Sequence, residues 1–122
     1  MKSVIDKIYE YAYEVRKNLG PGYLENVYKN ALCHELRLNG LNLDTELPIN
    51  VMYKGCLVGE YWADIVVENR LIIEIKAVSS IIPAHEAQLV NYLTALNIED
   101  GILINFGDNY AFRHKTRTYK RK

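Results

Sequence analysis

The sequence of 122 residues contains little cysteine, proline or glycine, with 2, 3 and 7 residues of each. These counts exclude collagen-like chains and disulfide scaffolds. Cys33 and Cys56 lie far apart with no CxxC spacing, so we expect both to be reduced, buried thiols in a soluble cytoplasmic protein. No apolar run approaches the ~18 residues of a membrane span, and the first residues lack the apolar stretch of a signal peptide.

Hydrophobic residues make up 49% of the chain and charged residues 25%, as in an ordinary globular protein. The length fits a single domain, residues 1–122. The 15 basic and 15 acidic residues cancel, but no acid follows Asp108, and six basic residues fall within 113–122. An acidic body with a basic C-terminal tail suggests a polyanionic partner, although a solvated tail that only aids solubility explains it equally well.

Hydrophobic periodicity predicts the element order ααβββαββ. The expected helices cover about residues 3–19, the segment from Gly22 to Gly40, and Pro83 to about Leu96. The expected strands cover about 43–53, 56–67, 71–78, 101–106 and Tyr110 to about Thr118. The strand–helix–strand unit over 71–106 should be a right-handed parallel crossover, since nearly all such units are. We therefore predict an α+β (α/β) fold with helices packed on a mixed sheet.

Two charged residues, Glu74 and Lys76, interrupt the apolar strand 71–78. They are two positions apart and therefore share one face of the strand. Burying ionised groups is unfavourable by several kcal/mol each unless they are paired or bind a metal. A half-exposed strand with a neighbouring ion pair would explain this segment on its own.

A third charged residue, Asp64, interrupts the preceding strand. If the hairpin loop consists of residues 68–70, Val67 opposes Leu71 and Asp64 lies opposite Glu74, with Cβ atoms ~4.5–5.5 Å apart. Two carboxylates this close repel each other unless a proton or a cation lies between them. A metal site therefore predicts an odd-numbered loop, whereas a purely structural sheet domain needs the two acids on different faces.

Two helices offer further candidates. Glu25 lies three residues before Tyr28 in the first turn of the second helix, and with Gly22 as N-cap the helix dipole alone would explain that acid. Gln88 and Tyr92 are i,i+4 neighbours on the third helix, where a solvated flank explains them equally well. The expected core stripe of that helix comprises Leu89, Val90, Leu93 and Leu96.

Asp64 and the tripeptide Glu74-Ile75-Lys76 resemble the Asp…Glu-x-Lys signature of the PD-(D/E)XK nuclease superfamily. Ala63 stands where the superfamily's name has a proline, at a position that supports the backbone rather than the chemistry. The resemblance covers about residues 3–107 in the superfamily's order of elements. It implies a restriction-endonuclease-like core.

Two more motifs add to this resemblance. Gly22-x-x-Glu25-x-x-Tyr28 is similar to the signature of the GxxExxY family, a small family assigned to that superfamily. Gln88-x-x-x-Tyr92 is similar to the Gln-x-x-x-Tyr motif of exonuclease-like branches. Each motif is weak alone, but four in the right order on the expected elements are fairly specific.

The resemblance implies a metal-dependent nuclease that hydrolyses phosphodiester bonds in DNA or RNA with Mg²⁺ or Mn²⁺. Hard oxygen ligands suit these ions. By this interpretation Asp64 and Glu74 hold the metal, and the Ile75 carbonyl is a further ligand. Glu25 would bind a second ion or a metal-bound water.

The remaining residues would act on water and phosphate. Lys76 would orient the attacking water or stabilise developing charge, Gln88 would position water or the phosphate, and Tyr92 would support Gln88. The basic tail would supply sequence-independent phosphate contacts.

The alternative is a catalytically silent nuclease-fold module that binds nucleic acid or a protein partner. So small a domain has little surface with which to bind a duplex. A homodimer or another subunit would supply the rest of the binding surface.

Overall fold

The structure is a computed structural model, and its described part comprises residues 2–117 without the side chain of Lys2. Its elements follow the predicted order ααβββαββ. The helices are α1 (Lys2–Leu19), α2 (Glu25–Leu38) and α3 (Pro83–Leu96). The strands are β1 (Leu43–Tyr53), β2 (Cys56–Val67), β3 (Leu71–Lys76), β4 (Asp100–Asn105) and β5 (Ala111–Thr116).

The five strands form one mixed sheet in the order β1-β2-β3-β4-β5. β3 and β4 pair in parallel through the α3 crossover, and the other pairs are antiparallel. Apolar residues of α1 and α2, such as Ile8 and Leu32, pack with Ile73 on one face. Leu89 and Leu93 of α3 pack with residues of the other face. The predicted α+β fold with a mixed sheet is therefore confirmed.

The turn between β2 and β3 has the three residues 68–70, as the metal hypothesis requires. Val67 pairs with Leu71 and Ile65 with Ile73, so the predicted register is correct. The paired ladder of these two strands stops at Ile65 and Ile73. Beyond that point β2 and β3 diverge, and we call the resulting gap the fork.

At the fork the β1–β2 hairpin turns from one face of the sheet to the other. Ile65 packs under α1 and α2, yet Ala63, two residues earlier, packs under α3 together with Ile49. Residues two apart in a regular strand share a face, so the chain must rotate at Asp64. On β1, Glu46 has a left-handed φ of 53° at the corresponding place. Asp64 therefore occupies the point at which the hairpin departs from β3.

The start of α2 differs from the prediction, since the helix begins at Glu25 with Leu24 as N-cap rather than with Gly22. The Tyr28 hydroxyl donates to the Gly20 carbonyl (2.6 Å) and accepts from the Tyr23 amide (3.1 Å), which holds these residues outside the helix. Gly22 adopts a φ of 112°, a conformation that L side chains rarely adopt.

Three further expectations need correction or restriction. Cys33 is buried as predicted, but Cys56 at the β1–β2 turn is exposed; both are free thiols. Tyr92 belongs to the core of α3 instead of lying beside it. Within residues 2–117, no helix is long and apolar enough to cross a membrane.

The predicted basic tail is not simply a solvated segment. Arg113 and Lys115 belong to β5, and both bind the Glu86 carboxylate of α3 at 2.8 Å. Residues 118–122 of that tail lie outside the described residues, so the predicted phosphate contacts there stay a prediction.

Candidate active site

Asp64 and Glu74 are interlocked across the fork. The Ile75 amide donates to Asp64 Oδ2 at 2.8 Å, and the Asp64 amide donates to Glu74 Oε2 at 2.9 Å. These side-chain bonds continue the contact between β2 and β3 where the paired ladder has ended. The prediction that the two acids lie across from each other is confirmed, and the interpretation that places them on different faces is wrong.

Burial and mutual repulsion dominate the electrostatics of this pair. Glu74 is buried, with 5% of its surface exposed. Desolvation, followed by repulsion from Asp64, raises the pKa of Glu74 to about 8. Desolvation also raises the pKa of Asp64, against the hydrogen bond from the Ile75 amide. An acid pair of this kind binds a proton or a cation far more readily than isolated surface carboxylates do.

Two lysines place positive charge near the acid pair. Lys76 is half-buried at the end of β3, and its charge lowers the pKa of Asp64, Glu74 and Glu25. Lys29 of α2 is buried, and it also lowers the pKa of Asp64. Its ammonium lies 2.9 Å from Glu46 Oε1.

Sequence reasoning missed Lys29, although a signal was present. Lys29 precedes Cys33 by four residues and Leu36 by seven, so it shares a helical stripe with two core residues. A lysine on such a stripe requires a buried partner or a nearby acid.

Glu25, exposed at the first residue of α2, approaches the site from the end of β3. Partial desolvation raises the pKa of its carboxyl, which also accepts a hydrogen bond from the Ala77 amide. The charges of Lys76, Asp64 and His85 all act on it. Glu25 therefore lies within electrostatic range of the acid pair without a direct bond to either member.

Tyr92 of α3 lies within electrostatic range of the acid pair, and Gln88 lies one helical turn before it. Desolvation, then the charge of Glu74, raises the pKa of Tyr92 to about 12, so its phenol stays protonated at neutral pH. Gln88 is half-buried and lines a groove together with Tyr92 and Tyr61. The alternative of a solvated helix flank is therefore wrong for Tyr92, which is buried, and holds only in part for Gln88, which is half-buried.

A second residue that sequence reasoning left without a role is Asn105, fully buried at the end of β4. Its side chain accepts from the amides of Val78 and Gly107 and donates to the carbonyls of Val78 and Asn109. These bonds fix the segment after β3, whose Ala77 amide binds Glu25. A polar residue that ends a run of apolar residues was the available signal.

Comparison with known proteins identifies the family. A family model described as the PD-(D/E)XK nuclease superfamily matches residues 2–119. The chain belongs to the PD-(D/E)XK nuclease superfamily. No curated protein matches the sequence.

Among the solved structures that this superfamily member resembles is the crystal structure of SSO0001. The TM-score is 0.60 at 24% identity, and the match covers 78% of this chain. This chain spans half the length of that protein. The likeness supports the fold of the nuclease-like core.

The donor atoms at the fork suit the hard divalent cations that nucleases of this superfamily generally use. Asp64 and Glu74 supply carboxylate oxygens. The Ile75 carbonyl points into the fork as well, because the N–H and C=O of one strand residue lie on the same side. Within residues 2–117 no group of three or more His, Cys, Asp or Glu side chains is arranged to hold a metal ion. The described site therefore offers two carboxylates and one carbonyl, with Glu25 further out.

Proposed function

We propose that this chain is a Mg²⁺- or Mn²⁺-dependent nuclease that hydrolyses phosphodiester bonds in nucleic acid. The observation that carries the proposal is the interlocked pair of Asp64 and Glu74. A buried and a half-buried carboxylate with raised pKa values destabilise the empty fold, so stability alone does not account for them. Perturbed groups of this kind cluster at functional sites.

Asp64 and Glu74 would hold the ion, with the Ile75 carbonyl as a third donor. A bound divalent cation neutralises charge on the phosphoryl oxygens and makes water nucleophilic near neutral pH. The hydrogen bonds to Asp64 Oδ2 and Glu74 Oε2 orient both carboxylates from fixed backbone amides. The protein therefore preorganises two ligands before any ion arrives.

Lys76 would orient the attacking water or stabilise the charge that develops on the phosphate. The influence of its charge on all three acids of the site supports this role. Gln88 would position water or the phosphate from α3. The protonated Tyr92 would support Gln88, and Glu25 would hold a second ion or a water.

We propose further that the chain is a member of the GxxExxY family. Each named residue of that signature has a distinct place: Gly22 in a left-handed turn, Glu25 against the Ala77 amide, and Tyr28 bonded to Gly20 and Tyr23. Tyr28 also stacks on Phe106 of the segment after β4, with ring centroids 4.9 Å apart. In this proposal Tyr28 holds the turn that presents Glu25 and performs no chemistry. A cytoplasmic location and a homodimer stay predictions from the sequence.

A cleavage assay with Asp64→Asn tests the proposed activity. We expect wild-type protein to cut DNA or RNA in Mn²⁺ and the variant to lose about 10³-fold or more, because it loses a metal ligand. Asp44→Asn is the matched control, since Asp44 is an exposed acid on β1. Failure of the wild type to cut any nucleic acid, or equal cleavage by Asp64→Asn, would contradict the proposal.

A further inference from the structure

A groove of about 710 Å³ lies between α3 and the outer half of the β1–β2 hairpin. Its volume falls within the ~300–1000 Å³ typical of small-ligand sites. The tyrosine rings of Tyr61 and Tyr92 lie in its wall, with centroids 5.6 Å apart and planes inclined at 44°. Tyr61 is 44% exposed, so much of its surface is open to a ligand.

The polar side chains of this groove are three amides, the Thr94 hydroxyl and the two tyrosines, and the described residues that line it include no charged side chain. Gln88, Asn50 and Asn91 each add both a hydrogen-bond donor and an acceptor. A phosphate would find no cation here, and an aliphatic ligand would leave the amides unpaired. A neutral planar ring with donors and acceptors on its edge could stack on a tyrosine and form hydrogen bonds with the amides.

The groove adjoins the acid pair. Tyr92 belongs to the groove wall, and it packs in one core cluster with Ala63, the residue before Asp64, and with Ile72, two residues before Glu74. Gln88, proposed above to position water or phosphate, lines the same groove. A ring bound there would therefore lie beside the phosphate that the site attacks.

We propose that this groove binds an unpaired base of single-stranded nucleic acid, stacked against Tyr61, while the adjoining phosphate lies at Asp64 and Glu74. This inference rests on the proposed nuclease function and names its substrate class. A base within a duplex is stacked on both sides and paired along its edge, so it cannot enter without being extruded. The acidic protein body repels a continuous phosphate backbone. Contacts with the bases would therefore contribute most of the binding free energy.

Binding measured without cleavage tests the groove separately from the chemistry. Fluorescence anisotropy in EDTA would compare a short labelled single strand, the same strand with abasic sites, and the corresponding duplex, as DNA and as RNA. We expect the intact single strand to bind wild-type protein best. Abasic sites should weaken binding by about 5- to 150-fold, the equivalent of ~1–3 kcal/mol of base–aromatic stacking. Comparing the affinities of the DNA strand and the RNA strand shows which of the two nucleic acids supplies the unpaired base.

Tyr61→Ala should weaken binding of the intact strand by a similar factor and should leave the abasic strand unaffected. Tyr13→Ala is the matched control, because Tyr13 is 52% exposed on α1 and its ring also lies near that of another tyrosine, Tyr110. Ala87→Trp is a second variant: Ala87 is an exposed α3 residue in the groove wall, and a large side chain there should block the base. If Tyr61→Ala does not fold, the loss of single-strand binding by Ala87→Trp tests the proposed base site instead.

Equal binding of intact and abasic strands, tighter binding of the duplex, or no binding of any strand by the wild type would overturn the inference. Cleavage in Mn²⁺ together with any of these results would leave the nuclease proposal standing. Base-dependent binding without cleavage would contradict the nuclease proposal and support the groove.

Discussion

Glu74 and Glu86 are glutamates of the same small domain whose pKa values move in opposite directions. Desolvation and the neighbouring Asp64 raise the pKa of Glu74 to about 8. Hydrogen bonding to Lys115, and the charges of Lys115 and Arg113, lower the pKa of Glu86. The bonds of Glu86 therefore favour its charged form, whereas the surroundings of Glu74 disfavour it. Glu86 therefore ties α3 to β5, whereas Glu74 has the surroundings that the proposed metal ligand would need.

The largest effect expected from this comparison is on activity. Lys76→Ala should lower the cleavage rate by about 10²–10³-fold, because it removes the cation next to the acid pair. Lys115→Ala is the matched control, since Lys115 is also a half-buried strand lysine but pairs with Glu86. Rates measured at saturating Mn²⁺ would check this. An equal loss in both variants would show that the two acidic sites do not differ in function.

A smaller effect concerns stability in the absence of metal. The raised pKa of Glu74 means that the folded protein holds this proton more tightly than the unfolded chain does. The free energy of unfolding should therefore fall as the pH rises from about 4.5 to about 8. Because a glutamine does not ionise, Glu74→Gln should abolish this pH-dependent decrease. At pH 7 the variant should therefore be more stable than the wild type by roughly 3 kcal/mol.

Denaturant unfolding in EDTA at pH 5 and pH 8 would measure this difference. The wild type should be less stable at pH 8 than Glu74→Gln, and the gap should narrow at pH 5. A variant that is less stable than the wild type at both pH values would show that Glu74 is a structural acid.

The smallest effect is expected at the surface. Glu86→Gln should lower the free energy of unfolding by less than about 1 kcal/mol, since exposed ion pairs are screened by water and salt. Its lowered pKa means that this stabilisation exists above the ordinary pKa of a glutamate and is lost as the pH falls. The change should shrink further in high salt. A salt-independent decrease of several kcal/mol in the free energy of unfolding would contradict this expectation and show that Glu86 stabilises the fold as strongly as a buried charge.

The position of Asp64 across from Glu74 could be predicted because it depends on counting residues. A loop of three residues after Val67 determines which residues oppose each other, and the apolar neighbours of Asp64 and Glu74 indicate that both acids are drawn into the sheet. The sequence could not show that β2 leaves β3 at Asp64. That divergence depends on the rotation of the hairpin toward α3, which is a matter of tertiary packing.

The errors have a common physical origin in contacts between distant parts of the chain. Gly22 is not an N-cap, because the Tyr28 hydroxyl forms hydrogen bonds with the backbone of Gly20 and Tyr23. The helix therefore begins at Glu25. Arg113 and Lys115 of β5 do not belong to a simple solvated tail, because Glu86 of α3 binds them. Neither contact could be inferred from local patterns, which report periodicity and caps but not partners.

Calorimetric titration of Mn²⁺ into the wild type, Asp64→Asn and Asp44→Asn tests the central claim most directly. We predict heat of binding for the wild type and an unchanged isotherm for Asp44→Asn, which removes an exposed carboxylate of β1 outside the proposed site. Asp64→Asn should show no binding, because the remaining Glu74 carboxylate cannot hold the ion alone. An isotherm for Asp64→Asn that matches the wild type, or no binding by the wild type, would contradict the claim that the fork is a metal site.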